Sequence, residues 1–348
     1  MFAASETPLS LSPEALDQYL ARGWFRMNQT IFTTHFLQFN YKFYSAVWLR
    51  VNLQAYMPGH AGVLKRIDKL RTEVKRAEIT KQHEALYEKY KTGLKFDTHT
   101  SLKNLLHGGY VHNIYNTWQV NLYNGETLIA SGFFDMGKTS AEGIVSIYHP
   151  DYKKYSLGKC IIYTKIDYCR QQGLHYFYPG YVVPGYAAFD YKLGIGTEAI
   201  EYFNAANSEW LPFKNVPAMY QPLADMQQNL AELQAALTIQ NQQAHLMHYL
   251  FFDALLNISP WQSLLDYPVF LLIRQRSGGD VVIPLVLFNI VTRRYVFTEC
   301  MPVYSLNSHY DNKHIFSSDV LNIHREVYAS TRIDEMAVFI EQYTGITS

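Results

Sequence analysis

The chain has 348 residues, of which 48% are hydrophobic and 17% charged, with 30 Lys and Arg against 30 Asp and Glu. This length exceeds what one hydrophobic core usually serves, so we expect two or three structural units. The zero net charge argues against a general nucleic-acid binder, and no apolar run approaches the roughly 20 residues of a membrane-spanning helix. The start of the chain lacks a basic region followed by an apolar one, so we expect a cytoplasmic protein.

Charge is distributed unevenly along the chain. Residues 1–215 contain 23 Lys and Arg against 18 Asp and Glu, whereas residues 216–348 contain 7 against 12. The first part could therefore dock a polyanion, although a solvated mixed surface is the commoner origin of such an excess. The three cysteines have neither metal-site nor redox-motif spacing, and we expect reduced, mostly buried thiols.

The first quarter of the chain predicts a helix, a strand layer and a basic helix. Residues 12–21 begin with a Ser cap and Pro at the first helical position. Residues 24–53 are dense in Phe, Tyr and Thr and predict strands of a small N-terminal layer. In residues 63–76 apolar side chains recur at helical spacing, which predicts a helix with a cationic face. That face either contacts an anionic ligand or is an ordinary solvated surface.

Two capped helices and an antiparallel hairpin are predicted next. The helices cover residues 80–93 and 101–107, beginning at Thr and Ser caps. The following alternating segment turns at Asn124 and Gly125, which is a strong hairpin signal.

A strand, a helix and another strand complete this region. The strands are predicted over residues 143–149 and 175–183, and the helix between them ends before Gly173. Such a unit of about 40 residues predicts a crossover between two neighbouring parallel strands.

The residues after 215 predict a separate appendage. Spacings of four and three between Met226 and Leu237 predict a long amphipathic helix over residues 221–250. Three strand-like runs follow, the first ending in a turn at Ser277 to Gly279. His245 and His248 stand three residues apart in or near the helix, but no acidic or thiol partner is close in sequence, so we expect no metal there.

This order of elements is typical of the acetyltransferase-like fold, in which two parallel strands splay apart and expose backbone groups to an extended carrier. The expected class is α+β: a GNAT-like mixed sheet with flanking helices over residues 76–215, a small N-terminal layer over 1–75, and a C-terminal α+β appendage over 216–348. The helix start near Ser156, Leu157 and Gly158 would present free amides to an anionic group.

These residues resemble the arginyl- and leucyl-tRNA-protein transferases, which attach an amino acid from charged tRNA to a protein N-terminus. The similarity covers roughly residues 12–215, with weaker matches at 84–93 and 133–137. It is carried chiefly by Tyr148, Pro150, Ser156, Leu157, Gly158, Gly173, Tyr176, Tyr178, Gly180, Tyr181, Pro184, Gly185, Tyr191 and Lys192.

The resemblance implies transfer of arginine or leucine from aminoacyl-tRNA, as co-substrate, to the α-amine of an acceptor protein N-terminus, which marks that protein for degradation. It implies no separate cofactor, and we expect neither membrane nor metal as a partner. Family members carry an N-terminal cysteine cluster that holds a metal or iron-sulfur centre, whereas residues 31–53 contain no cysteine. A Cys and a Lys of the family motif are replaced by Tyr186 and Ala188, so recognition of the acceptor could differ.

The reaction needs an acceptor for the amine proton, donors at the developing oxyanion and a place for the carrier. Asp135 is the candidate for orienting or deprotonating the amine, and Tyr181 for stacking or hydrogen bonding beside it. The candidates for donor or tRNA binding are Tyr148, Ser156, Leu157, Gly158, Tyr178, Gly180 and Lys192.

Simpler explanations exist for each candidate. The tyrosines could pack a core, Asp135 could be a turn residue, and Lys192 could be a solvated charge at a strand end. Two other functions also remain open: an acetyl-coenzyme A-dependent N-acyltransferase and a catalytically degenerate binding module. Against the first, the turn KKYSLGK at 153–159 lacks the fuller glycine pattern that cradles a pyrophosphate.

Overall fold

The structure is a computed structural model, and it describes residues 2–57, 59, 61–94, 98–215, 221–256, 263–273, 282–305 and 314–345. No helix within these ranges is long and apolar enough to cross a membrane.

The N-terminal residues form a three-stranded sheet and a hairpin. Their elements are β1 (Ala3–Glu6), α1 (Pro13–Ala21), β2 (Phe25–Met27), β3 (Thr30–Thr34), β4 (Phe36–Phe39) and β5 (Lys42–Ser45). Strand β3 lies between β1 and β2, antiparallel to both, and β4 pairs with β5. Helix α1 begins as predicted, because the Ser12 hydroxyl accepts a hydrogen bond of 3.1 Å from the amide of Ala15.

An eight-stranded sheet forms the centre of the molecule. Its strands and the helices around it are β6 (Val47–Asn52), α2 (Ala61–Leu64), β7 (Arg71–Arg76), α3 (Lys81–Lys91), α4 (Leu102–His107), β8 (Thr117–Asn124), β9 (Thr127–Met136), β10 (Ser140–Tyr148), α5 (Leu157–Gln171), β11 (Tyr176–Val182), β12 (Ile200–Asn204) and β13 (Glu209–Pro212). The strand order is β13-β12-β6-β11-β10-β9-β8-β7. Strands β10 and β11 are parallel, and the other neighbours in this sheet are antiparallel.

This sheet confirms the predicted α+β class and the acetyltransferase-like order of elements. An antiparallel meander of β8, β9 and β10 leads through α5 to the parallel strand β11. Helix α5 packs on the sheet through the apolar stripe that its sequence predicts, with Cys160, Ile161, Ile166 and Cys169 completely buried. Gly173 follows the helix at φ 75°, a conformation that a residue without Cβ adopts at little cost.

The prediction of a basic helix over residues 63–76 is wrong. Helix α2 ends at Leu64, a 3-10 turn covers Lys65–Ile67, and the chain then extends as β7 at the edge of the sheet. Thr72 and Val74 alternate along this strand and pair with β8. The apolar residues at helical spacing extend only to about residue 70. Residues 71–76 form a strand because they pair with β8.

The boundary predicted at residue 75 also needs correction. Strand β6, from within the expected N-terminal layer, pairs with both β11 and β12 in the central sheet. The hairpin of β8 and β9 is confirmed, but its two loop residues are Gly125 and Glu126, one position later than predicted, because Asn124 still pairs with Thr127.

The C-terminal residues form a second sheet with two helices. The elements are α6 (Pro222–Ile239), β14 (Ala244–Tyr249), β15 (Val269–Ile273), β16 (Ile283–Asn289), β17 (Arg294–Ser305), β18 (Ile315–Phe316), β19 (Asp319–Ser330) and α7 (Ile333–Thr344). The strand order is β18-β14-β15-β16-β17-β19. The predicted seam of α6 is buried in this core, as Met226, Leu230, Leu233 and Leu237 have no exposed surface.

The helix predicted up to residue 250 ends earlier, at Ile239. The chain turns at Asn241, whose φ is 59°, and continues as β14. His245 and His248 therefore lie three positions apart on a strand rather than on a helix, and their side chains point to opposite faces. The predicted turn at Ser277 to Gly279 lies outside the described residues.

The N-terminal segment joins the two sheets. The side chain of Phe2 is buried in the C-terminal core, where its ring meets that of Tyr267 at 5.0 Å. The buried carboxylate of Asp266 accepts hydrogen bonds from the amides of Phe2 and Ala3, and Ser45 accepts one from the amide of Leu223. The C-terminal unit is thus attached through side chains and backbone of the first 45 residues.

Gly132 on β9 provides a test of the packing between sheet and helix. A Cβ atom at this position would lie 2.1 Å from Cγ2 of Ile161 and 2.9 Å from Cε of Lys165, both on α5. We therefore expect Gly132→Ala to lower the free energy of unfolding by about 1–3 kcal/mol, as overpacked core substitutions do. Chemical denaturation would measure the change.

Gly62→Ala is the matched control for this substitution. Its Cβ would have no neighbour within 4 Å, so its stability should change by less than about 1 kcal/mol. Equal stability of Gly132→Ala and wild type would contradict the tight contact between β9 and α5.

Candidate functional site

The candidate site lies where β10 and β11 separate. The two strands are paired over three positions, Ser140 with Tyr176, Ala141 with Phe177 and Glu142 with Tyr178. Beyond this point β10 continues beside β9, and β11 continues beside β6. The backbone edges that face each other across the gap are thereby left open to a ligand.

Both strands carry irregularities at the point of separation. In β11 the register against β6 shifts between Phe177 and Gly180, and Pro179 has no amide hydrogen to donate. Gly180 has φ 92°, which side-chain-bearing residues rarely adopt. In β10 a bulge places Ile144 as an extra residue opposite β9, and such bulges bend a strand away from its neighbour.

A buried lysine stabilises the bulge. Nζ of Lys165, on α5, donates hydrogen bonds to the carbonyl oxygens of Phe133 at 2.8 Å and Val145 at 3.1 Å. Burial lowers the pKa of Lys165 to about 7. Its donors serve backbone acceptors on β9 and β10, so we assign this side chain to holding the shape of the gap.

The gap opens into a cavity of about 690 Å³. This volume falls within the roughly 300–1,000 Å³ of small-molecule sites. Its walls are rich in aromatic rings: Phe32, Trp48, Tyr90, Tyr148, Phe177, Tyr181, Phe189 and Tyr191. Charged side chains also line it: Arg26, Glu142, Lys153, Lys159, Lys165 and Lys192.

One end of the cavity is the N-terminus of α5. Ser156, Leu157 and Gly158 line it, and amides of a first helical turn have no acceptor within the helix. The Ser156 hydroxyl accepts a hydrogen bond of 2.8 Å from the guanidinium of Arg66. With the exposed Lys153 and Lys159, this end combines several cations with a helix N-terminus, which favours an anion.

Lys192 forms a second cationic position in the wall. Its ammonium donates to the carbonyl oxygen of Tyr181 at 2.7 Å and lies over the rings of Tyr181, at 5.1 Å, and Phe189, at 4.9 Å. Burial lowers the pKa of Lys192 to about 8. A Cβ on Gly180 would stand 3.2 Å from this ammonium, so glycine there leaves room for it.

A buried charge cluster lies at the narrow end of the gap. Nη1 of Arg26 contacts both carboxylate oxygens of Asp135, at 3.0 and 2.9 Å, and donates to Thr117 at 3.0 Å. The backbone amide of Arg26 donates to both carboxylate oxygens of Glu142, at 3.1 and 3.2 Å. Burial and the negative charge of Asp135 raise the pKa of Glu142 to about 8, against a smaller opposing effect of Arg26.

Seven of the nine predicted site residues come together in this cavity: Tyr148, Ser156, Leu157, Gly158, Gly180, Tyr181 and Lys192. Two do not line it. Asp135 is completely buried in its pair with Arg26, and the ring of Tyr178 is buried between Phe25 and Trp210, with ring centres 6.2 and 5.3 Å away. The direct contacts with a ligand that the sequence predicted for Asp135 and Tyr178 therefore need correction, because neither side chain lines the cavity.

The sequence reasoning missed Glu142, Trp48 and Arg26. Trp48 belongs to the segment interpreted as a separate layer, and its ring meets Tyr181 at 4.9 Å across the wall of the cavity. Glu142 lies just before Gly143 in a strand, where nothing local distinguishes it from a solvated residue. Only its pairing with Tyr178 at the point of separation reveals its position.

The residues present do not fit the metal or iron-sulfur centre of the resembling family. The three cysteines are buried, none is in the N-terminal layer, and in the described ranges no three His, Cys, Asp or Glu side chains come together.

Comparison with known families finds a match in the central part of the chain. Residues 82–200 match the model described as arginine-tRNA-protein transferase, C terminus. This part of the chain is similar to the C-terminal part of the arginine-tRNA-protein transferases. The matched segment contains β8 to β11 and α5, and therefore both sides of the gap.

Curated relatives match over parts of their length. An aspartate/glutamate leucyltransferase of Leptospira interrogans is 28% identical over 151 residues, covering 41% of this chain and 58% of that protein. Arginyl-tRNA--protein transferase 1 of Saccharomyces cerevisiae is 29% identical over 34% of this chain and 21% of its own length. An aspartate/glutamate leucyltransferase of Vibrio cholerae is 33% identical over 78 residues, which cover 22% of this chain and 33% of that protein. The chain thus spans less than two thirds of each of these relatives.

The charge of Lys192 makes anion binding in the cavity dependent on pH. The ammonium is charged below its pKa of about 8 and neutral above it. Adenosine 5′-monophosphate is a suitable probe, because its phosphate, with a second pKa of about 6, stays doubly ionised from pH 7 to 9. We expect its affinity to fall as the pH rises from 7 to 9, measured by calorimetry.

Lys192→Met should bind the nucleotide more weakly and with a smaller pH dependence, the remainder coming from Lys165 and Glu142, which change charge over the same range. Lys138→Met changes a side chain that is 67% exposed and serves as control. An identical pH profile in wild type and Lys192→Met would show that Lys192 does not contact the anion.

Proposed function

We propose that this protein transfers an amino acid from an aminoacyl-tRNA to the N-terminal α-amine of an acceptor protein. The observation that carries the proposal is the open gap between β10 and β11, in a segment that matches the arginine-tRNA-protein transferase family model. A cationic helix N-terminus lies at one end of the gap and a buried carboxyl group at the other.

The polar end of the gap suits the nucleotide part of the donor. Lys153, Lys159 and Arg66 surround the start of α5, where a backbone phosphate would meet positive charge and free amides. Aromatic rings such as Tyr148 and Tyr90, 5.3 Å apart, offer surfaces for a base to stack on.

The chemistry demands little beyond positioning. Attack of an α-amine on an aminoacyl ester forms an amide, which is the more stable of the two acyl compounds. Holding the two reactants in the attack geometry then contributes most of the acceleration. The open strand edges at the gap supply amides and carbonyls that can hold the donor in an extended form.

Leucine fits the lining better than arginine. Within the described lining, Lys153, Lys159, Lys165, Lys192 and Arg26 are cationic, and Glu142 is the one carboxyl group. A guanidinium would enter an already positive, largely aromatic cavity, whereas an isobutyl side chain needs only apolar contact. The proposal of leucine agrees with the description of the Leptospira relative, and we extend its aspartate or glutamate acceptor to this chain.

A transfer assay tests the proposal. Purified protein is incubated with radiolabelled leucyl-tRNA or arginyl-tRNA and peptides that begin with Asp, Glu or Ala. We expect label from leucyl-tRNA on the Asp and Glu peptides, and none on their N-acetylated forms, which have no nucleophilic amine. Absence of transfer from either donor would contradict the proposal, and stabilisation by coenzyme A would favour the acetyltransferase alternative.

Gly158→Leu tests the position of the donor. A Cβ there meets ring carbons of Tyr148 at 3.5 and 3.8 Å, which are ordinary contacts, so the protein should fold and the longer side chain should occupy the cavity. We expect at least about tenfold weaker binding of leucyl-tRNA, equivalent to about 1.4 kcal/mol. Gly62→Leu, whose Cβ has no neighbour within 4 Å, is the control, and unchanged affinity in Gly158→Leu would place the donor elsewhere.

A further inference from the structure

Glu142 lies at the point where β10 and β11 separate. It is the last residue of β10 that pairs with β11, so its side chain lies where the two strands begin to diverge. Its side chain lines the cavity although only 5% of the residue is exposed. A carboxyl group at this point can meet a ligand that enters the gap from the open side.

The contacts of Glu142 leave its carboxylate oxygens able to accept a further hydrogen bond from a ligand. One donor, the backbone amide of Arg26, serves both carboxylate oxygens, and carboxylate oxygens can each accept more than one hydrogen bond. The guanidinium of Arg26 is directed elsewhere, to Asp135, Thr117 and the carbonyl oxygen of Asn28. Glu142 is therefore held in place by a backbone group without being matched by a side-chain cation.

A purely structural role is the competing explanation. The hydrogen bonds from the Arg26 amide join β2 of the N-terminal sheet to β10 of the central sheet. This connection alone would favour a side chain that accepts a hydrogen bond at position 142. An amide would serve that purpose equally well, since its oxygen also accepts from a backbone N–H. The difference between carboxylate and amide is proton transfer.

We infer that Glu142 is the catalytic base that takes a proton from the α-ammonium group of the acceptor, an inference that rests on the proposed transfer function. The ammonium gives one proton to the Glu142 carboxylate and becomes a neutral amine. The amine nitrogen forms a bond to the ester carbonyl carbon, and the bond from that carbon to the ribose oxygen breaks. The second nitrogen proton leaves with the ribose oxygen as a hydroxyl group, and Glu142 returns its proton to solvent.

The protonation of Glu142 suits this step. Its pKa of about 8 lies close to the roughly 7.7–8.0 of an α-amine, so the proton moves between groups of similar affinity. The charged and titratable groups that face it are Arg26 from β2, Asp135 from β9 and Tyr115 from the segment before β8. Asp135 acts through Glu142 and does not meet the substrate itself. Burial and the negative charge of Asp135 raise the pKa of Glu142, which makes that carboxylate a stronger base.

Glu142→Gln separates the two explanations. It keeps an acceptor for the Arg26 amide and removes the base, so we expect transfer to fall by about 10²-fold or more at pH 7, with unchanged affinity for leucyl-tRNA. The variant should unfold at the wild-type temperature, because the glutamine oxygen still accepts a hydrogen bond from the Arg26 amide. Glu142→Asp should recover part of the rate, and Glu126→Gln, in the exposed hairpin loop, should match wild type.

A structural role predicts a different pattern. Glu142→Gln would then transfer at the wild-type rate, or lose transfer together with thermal stability, and either result overturns the inference. Asp135→Asn provides a second readout, because loss of its negative charge lowers the pKa of Glu142. If that variant folds, the rising limb of its pH–rate profile should move to lower pH, and an unmoved limb would also count against the inference.

A binding measurement distinguishes failure of the proposed function from failure of the role assigned to Glu142. If wild-type protein transfers from neither donor, binding of an Asp-initiated peptide with a free or an acetylated N-terminus is measured by calorimetry for wild type and Glu142→Gln. Weaker binding of the free amine to the variant would retain Glu142 as the group that meets the ammonium. Equal binding would overturn the inference independently of any transfer.

Discussion

The separation of β10 and β11 is the constraint on which the rest of the central structure depends. Two parallel strands that stay paired offer no free backbone, whereas strands that part leave polar groups that must be satisfied. Here Pro179 cannot donate, Gly180 adopts a positive φ, and Lys165 from α5 bonds to the carbonyl oxygens around the bulge at Ile144. The close approach of α5 to β9 at Gly132 is what brings Lys165 within reach.

Buried charges cluster around this separation for a related reason. Removing charges from water is costly unless each meets a partner, and here Asp135 meets Arg26 while Lys165 meets backbone carbonyls. Glu142 accepts from the backbone amide of Arg26, and burial together with the negative charge of Asp135 raises its pKa. A cleft that excludes bulk water shifts the pKa values of the titratable groups that line it, as the pKa values of Glu142 and Lys192 show.

The N-terminal residues contribute more to the site than a separate layer would. Trp48 on β6 forms a wall of the cavity, and its indole NH donates to the carbonyl oxygen of Thr34 at 2.7 Å, which ties β3 to the central sheet. Phe25 stacks on the same indole at 3.5 Å. Aromatic packing and the Arg26 contacts thus hold this region in place, although it lacks the cysteines of the resembling family. The C-terminal unit packs on the first residues of the chain and leaves the gap open.

Local signals in the sequence determined the helices α1, α3, α4 and α5, the hairpin of β8 and β9, and the order of elements around the gap. These features rest on caps, turns and periodicity, which act over a few residues. Seven site residues were predicted because they lie in that one segment, from Tyr148 to Lys192. Tertiary structure decided what depends on distant partners: β7 became a strand because β8 offered its edge, and β6 joined the central sheet rather than a separate layer. Glu142, Arg26 and Asp135 come from three separate strands, so their meeting at the end of the gap follows from strand register, which no local pattern specifies.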